Sequence, residues 1–232
     1  MYHHVGDASE GAGLNVSVEN FERQMEFLKV HNFSVIGLDE LIYRLKAGKK
    51  IPRNTTVITF DDGNLDNFKN AFPVLKKMNF TATIFVITSR INTEGYLSDE
   101  DLRILNDAGI TIGSHTVTHA FMPDLKPEEV LLELRESKRE LESILGHPVT
   151  IFSYPAGGFN GYARAMVKAA GYEGAVTTNW GKTRHDPFAL HRIKATDSRA
   201  GLFSFWMKTT GFYHLGKSRV KVSPSDGARQ NR

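Results

Sequence analysis

The sequence contains no cysteine. Disulfides and thiolate nucleophiles are therefore excluded, and any bound metal must be held by His, Asp or Glu. Long apolar runs are also missing. No stretch of about 18 apolar residues exists, so no segment reads as a membrane span. No signal peptide is expected ahead of Tyr2. The chain nevertheless starts on what reads as mid-strand, which is compatible with the loss of an upstream export or anchor segment. A large surplus of one charge is absent too, the formal net charge being +3. Much of that surplus falls in "GKSRVKVSPSDGARQNR", residues 216–232, which reads as a flexible basic tail. Such a balance does not point to nucleic acid. Internal repeats and low-complexity segments are not found.

What is present is a soluble globular composition, 41% hydrophobic and 24% charged over 232 residues. That length suits one α/β domain. Short apolar runs alternate with amphipathic segments. "TVITF" (56–60), "TATIFVIT" (81–88), "ITIGSH", "VTIFSYP" (149–155) and "GAVTT" (174–178) read as buried strands. The stretch "LDNFKNAFPVLKKMN" reads as a helix kinked or broken at Pro73. "SDEDLRILNDAG" (98–109) has a serine cap, acidic first-turn residues and a terminal glycine. "KPEEVLLELRESKRELESILG" (126–146) carries one apolar stripe at helical spacing, and "NGYARAMVKAAG" is a further helix. Two amphipathic segments before Thr55, "VENFERQMEFLKVHN" and "LDELIYRLKAGKK", elaborate the same domain. Strand–helix alternation implies parallel strands with right-handed crossovers, as a barrel or an open sheet. In both, functional groups gather at the carboxyl ends of the strands.

Polar outliers sit at those ends. "TFDDGN" places Asp61 and Asp62 side by side after an apolar strand. Asp-Gly is also a common turn dipeptide. One acid can bind a cation while the other acts as base. A Walker B reading fails because no G-x-x-x-x-G-K-[ST] loop is present. "SHTVTH" sets His115 and His119 four apart. Surface histidines are common, but Asp62 with two imidazoles makes a facial set with open positions, suited to catalytic rather than structural Zn2+ or a similar divalent ion. "MYHHV" adds His3 and His4, which read as a tag remnant, a core strand or part of a site.

"TFDDG", "SHTVTH" and "FSYPAGGFN", in that order and at these intervals, resemble the polysaccharide deacetylase family, the NodB homology domain or carbohydrate esterase family 4. The likeness runs from about Tyr2 to Leu215. The opening Tyr-His-x-Val is similar to the branch that contains poly-β-1,6-N-acetylglucosamine deacetylases. The resemblance implies a distorted (β/α) barrel of seven strands over residues 1–215. It implies Asp61 as catalytic base and Asp62, His115 and His119 as metal ligands, Zn2+ first, with Co2+ or Ni2+ as alternatives. It implies that the metal polarises the acetamide carbonyl and a water, that a backbone N–H at Ala156 holds the oxyanion, and that a general acid protonates the amine.

The chain also departs from the family pattern. Ser153-Tyr154-Pro155-Ala156 stands where the third motif has Arg-x-Pro-Tyr or Arg-x-Pro-Phe. The missing cation is expected from Arg192, whose alternative is a surface or structural role. The fifth motif reads Leu190-His191-Arg192, its histidine one place early and so on the opposite face of a strand. In the nearest branch the acid comes from the N-terminal strand, which points to His3, with His4 facing the other way. Tyr154, Pro155, Ala156 and Trp180 are the expected substrate contacts, although Trp180 can equally be a packing residue. The expected activity is removal of N-acetyl groups from N-acetylglucosamine-containing exopolysaccharide or cell-wall glycan. The alternatives are a silent carbohydrate-binding protein of the same fold and a deacylase of a small or lipid-linked amino sugar. The expected partner is the N-acetylated glycan alone, with no nucleic acid, no indicated membrane contact and a monomeric state. Family precedent suggests the cell envelope or the extracellular space.

Overall fold

The computed structural model describes residues 1–6, 13–178, 186–197 and 201–209. Two small parallel pairs frame its start. β1 (His4–Val5) pairs with β2 (Asn15–Val16), and α1 (Val18–Val30) follows, its first turn capped by the Ser17 hydroxyl. β3 (Ser34–Val35) and α2 (Leu38–Lys46) lead to β4 (Thr55–Thr56), which pairs with β3. The main sheet then begins with β5 (Thr59–Phe60). "TVITF" is therefore not one continuous strand. Its first residue, Thr56, serves the β3 ladder and its last two serve the main sheet, so the run changes partners across Val57 and Ile58.

The remaining elements alternate. A π-turn over Asn67–Ala71 runs into α3 (Phe72–Met78), with Pro73 in the first turn of α3, where a missing N–H costs little. Next come β6 (Thr83–Val86), α4 (Asp99–Asp107), β7 (Thr111–Ser114) and α5 (Pro127–Leu145). β8 (Ile151–Ser153), α6 (Gly161–Ala169), β9 (Gly174–Thr177), β10 (Leu190–His191) and α7 (Gly201–Thr209) complete the described chain. The sequence pattern did not suggest α7. It is held by packing, with Phe205 edge-on to Phe27 of α1 at 6.0 Å between ring centres. Elsewhere the expected caps are in place: Ser98 and Asp101 form a capping box on α4, and left-handed Gly146 ends α5.

The six main strands are all parallel, in the order β10-β9-β8-β7-β6-β5. Their buried side chains are mostly apolar, as burial on both faces requires, with Thr59, Thr83, Ser114, Ser153 and Thr177 as buried polar exceptions. The sheet curls, and residues 1–2 bridge its two edges. Tyr2 N–H donates to the Thr59 carbonyl at 2.8 Å, and Asp61 N–H donates to that of Tyr2 at 3.0 Å. On the other side Ala195 N–H donates to the Met1 carbonyl at 2.8 Å. The result is a distorted (β/α) barrel whose main sheet has six strands, not the expected seven; an isolated bridge from Tyr2 to Phe60 stands beside β5 where a seventh strand would pair. All carboxyl ends of the main strands lie at one rim.

Leu102 of α4 is fully buried in the main core. Leu102→Ala is expected to lower unfolding free energy by about 2–5 kcal/mol, through lost burial and a residual cavity. Urea denaturation followed by circular dichroism measures it.

Candidate metal centre and acid–base site

Two adjacent acids at the end of β5 meet different neighbours. Asp61 is buried and forms a two-pronged ion pair with Arg192, which follows β10 directly. Nη1 lies 2.6 Å from Oδ1 and Nη2 lies 2.7 Å from Oδ2. The same guanidinium donates to Ser153 Oγ at 2.8 Å and Thr59 Oγ1 at 3.1 Å, and sits over the Phe85 ring, 5.3 Å from its centre. Both partners are almost wholly shielded, with side-chain exposures of 7% for Arg192 and 5% for Asp61. Burial by itself raises the Asp61 pKa. The charge and hydrogen bonds of Arg192, with His115 and His3 nearby, outweigh it and hold the carboxyl well below the usual range.

Asp62 turns the other way. Its φ is 76° and that of Gly63 is 75°, so the chain reverses sharply after the strand. Asp62 Oδ1 lies 3.6 Å from His115 Nε2 and 3.7 Å from His119 Nε2. His115 Nδ1–H donates to the Ser153 carbonyl at 2.8 Å, so the lone pair of the neutral ring is on Nε2, facing Asp62. Asp62 Oδ1 is buried and has no hydrogen-bond partner among the described residues. Ligand atoms of Asp62, His115 and His119 all lie within 4.8 Å of one another. An orphaned carboxylate oxygen opposite two imidazole nitrogens fits a divalent cation of the zinc type, and this set is the one such cluster among the described residues. The His119 pKa is lowered, by burial first and then by His115.

His3 flanks both acids. Burial lowers its pKa, against the opposing pull of Asp61 and Asp62, and its Nδ1 is buried without a partner among the described residues. Its backbone carbonyl accepts from the side-chain amides of Asn67, at 2.8 Å, and Asn64, at 3.4 Å. His4 goes elsewhere, its Nδ1 lying 2.7 Å from Asp66 Oδ2. His191 lines a largely apolar cavity of about 310 Å3 with Leu38, Leu41 and Val57.

The third motif is divided. Ala156 is exposed and left-handed at φ 51°, and its N–H finds no acceptor among the described residues. The expectation that Tyr154 contacts substrate is corrected. Its side chain is fully buried, the ring packs on Phe152 and Phe159, and the hydroxyl donates to the Phe188 carbonyl at 3.1 Å. Pro155 is buried as well. Trp180 and the tail 216–232 lie outside the described residues. Sequence reasoning missed Ser153 as a shared anchor, taking it only as the place of a lost arginine. It also missed Phe85 and Thr59 beside Arg192. A strand end rich in small polar residues is a faint signal for such contacts.

The curled parallel barrel thus gathers a carboxylate–imidazole cluster and a buried Asp–Arg pair at its C-terminal rim. The family profile described as polysaccharide deacetylase matches residues 48–175, over half of the chain. A protein of Bacillus subtilis (strain 168), YxkH, whose name assigns it to the polysaccharide deacetylases, is 34% identical over 203 residues, covering 87% of this chain and 72% of its own. The poly-β-1,6-N-acetyl-D-glucosamine N-deacetylase of Staphylococcus aureus (strain MRSA252) is 29% identical over 193 residues, 74% of this chain and 66% of its own. Among solved structures, the Streptococcus pyogenes deacetylase PplD in complex with acetate superposes with a TM-score of 0.81 at 25% identity, covering 88% of this chain and 95% of that one. BC0361, a polysaccharide deacetylase from Bacillus cereus, gives 0.76 at 30% identity, covering 88% and 67%. The chain belongs to the polysaccharide deacetylase family and is a hydrolase of the polysaccharide N-deacetylase class.

The depressed Asp61 pKa has a consequence for stability. Unfolded Asp titrates near about 3.9. The folded value is lower, so the pair stabilises fully above the unfolded pKa and progressively less as pH falls toward the folded one. Asp61→Asn is expected to be less stable at pH 7 by about 3–5 kcal/mol, because Arg192 is left buried and unpaired. It is also expected to show a shallower loss of stability below about pH 4 than the parent. Denaturation midpoints recorded across that range give both results.

Proposed function

We propose that this protein removes N-acetyl groups from N-acetylglucosamine-containing polysaccharide, with a divalent metal held by Asp62, His115 and His119. The observation that carries the reading is that three-residue cluster lying beside the Asp61–Arg192 pair at one barrel rim. The S. aureus relative named for poly-β-1,6-N-acetyl-D-glucosamine supports the substrate class. Residues 1–215 form the deacetylase domain in this reading, acting as a monomer at the cell envelope or outside the cell.

Zn2+, or Co2+ or Ni2+ in its place, would supply Lewis acidity to the amide carbonyl and to an attacking water. Asp61 is the base that takes the proton of that water. Arg192 locks both of its oxygens in plane yet leaves each a further lone pair to accept with. As the carbonyl oxygen gains charge, the exposed Ala156 N–H donates to it. His3 delivers a proton to the nitrogen as the carbon–nitrogen bond breaks, giving acetate and a free amine. Asn64 and Asn67 hold the His3 backbone for that task.

Acetate release from a panel of N-acetylglucosamine oligomers of different linkage is the test. Release is expected with added divalent metal and not after chelation; equal turnover in metal-free protein would sink the mechanism. Absence of release from every oligomer, with metal bound, would instead favour a silent glycan-binding protein or a small amino-sugar substrate. Asp61→Asn is expected to lose turnover by about 100-fold or more while keeping its metal content. A variant that loses the metal would show that the roles of Asp61 and Asp62 are exchanged. His3→Ala is expected to lower kcat by about 100-fold or more with little change in KM; unchanged turnover would move the acid role to another group.

A further inference from the structure

The turn that carries both imidazoles is gripped from one side by a single helix. His115 follows β7 directly, and His119 lies four residues on. Two residues of the 115–119 segment are left-handed, Thr116 at φ 68° and His119 at φ 61°. Neither is glycine, and a β-branched residue in this region is unusual. Such conformations cost on the order of 1–3 kcal/mol each and persist only where the surroundings over-determine them.

Glu133 of α5 is the surrounding group that does this. Its Oε2 accepts the N–H of Val117 at 2.8 Å and of Thr118 at 3.0 Å, and its Oε1 accepts the Thr118 hydroxyl at 2.7 Å. One carboxylate therefore takes three hydrogen bonds from Val117 and Thr118, two of the three residues between the histidines. Bonds to an ionised acceptor are about twice as strong as neutral ones. One helical turn further along α5, Ser137 makes a second attachment. Its hydroxyl donates to the Glu133 carbonyl at 2.6 Å, so the hydrogen in its 2.8 Å contact with Ser114 must come from Ser114. That leaves the Ser114 oxygen to accept the Thr116 N–H at 3.3 Å. The chain of donors runs one way, from Thr116 through Ser114 and Ser137 to Glu133. Inside the turn, His119 N–H donates to Thr116 Oγ1 at 2.9 Å.

The two imidazoles do not depend equally on this grip. His115 is 2% exposed and is anchored through Nδ1 to the Ser153 carbonyl. His119 is 37% exposed, and its orientation follows from the turn. Thr118 is exposed enough for water to satisfy its polar groups, so what the carboxylate adds is the selection of one turn conformation.

We propose that Glu133 is a positioning residue of the metal centre. Its carboxylate sets the 116–119 turn and so aims His119 at the point shared by Asp62 and His115. This rests on the reading of Asp62, His115 and His119 as metal ligands. Glu133 itself touches neither substrate nor metal.

The test is Zn2+ affinity, measured by competition with a chromophoric chelator well below the unfolding transition, together with the visible spectrum of the Co2+ form. Glu133→Ala is expected to weaken Zn2+ binding about 10–100-fold, the usual effect of losing a group that orients a ligand, and to change the Co2+ bands. Glu133→Gln is expected to restore most of the affinity, because its amide oxygen can still accept both N–H groups. Glu133→Asp, one methylene shorter, serves if the alanine variant does not fold, and is expected to bind Zn2+ more weakly than the parent. A folded alanine or aspartate variant with unchanged Zn2+ affinity and Co2+ spectrum overturns the proposal. A parent protein that binds no Zn2+ overturns the metal reading on which it stands.

Discussion

The buried pair of Asp61 and Arg192 joins the two edges of a curled sheet. Asp61 ends β5 and Arg192 follows β10, the outermost strands in the order β10-β9-β8-β7-β6-β5. A parallel sheet of six strands leaves two edges open unless something spans them. Here backbone pairing through residues 1–2 spans them along the wall, and the ion pair spans them at the rim. The charges are shielded from water, so each would be costly without the other. Barrel closure and the electrostatics of the site are consequently one constraint.

That constraint explains how neighbouring acids come to differ. Asp61 faces a guanidinium that uses both of its oxygens. Asp62, after a reversal at positive φ, faces two imidazoles and keeps one oxygen without a hydrogen-bond partner among the described residues. Ser153 mediates between the halves, its hydroxyl accepting from Arg192 and its carbonyl from His115. The family motif has arginine at that position. In this chain a small residue stands there, and the guanidinium reaches in from beyond β9 instead. The charge partner of Asp61 thus comes from a different strand, while the third motif keeps its turn and its exposed Ala156 N–H.

The helices do more than cover the sheet. α5 presents Glu133 and Ser137 one turn apart, both toward the segment that leaves β7. Its apolar stripe buries Val130, Leu134 and Leu141 in the core, which fixes the register at which the two polar groups arrive. Packing and site geometry are therefore coupled through one element.

Much was legible in the residues alone. Strand–helix alternation implied a parallel barrel or sheet, and the caps at Ser98 and Gly146 marked helix ends, because both depend on local spacing and backbone preference. The joined motifs brought Asp62, His115 and His119 into one frame before any coordinates did. Three matters belonged to the tertiary structure. Whether Arg192 meets Asp61 depends on sheet closure between residues 131 apart in sequence. Whether Tyr154 faces solvent depends on what packs over the end of β8, and Phe152 and Phe159 cover its ring. Glu133 looks like any acid on a solvated helix face until α5 is docked against the end of β7. Sequence determined the chemical groups and their local backbone; only the folded barrel decided which of them meet, because those meetings are set by long-range packing rather than by spacing along the chain.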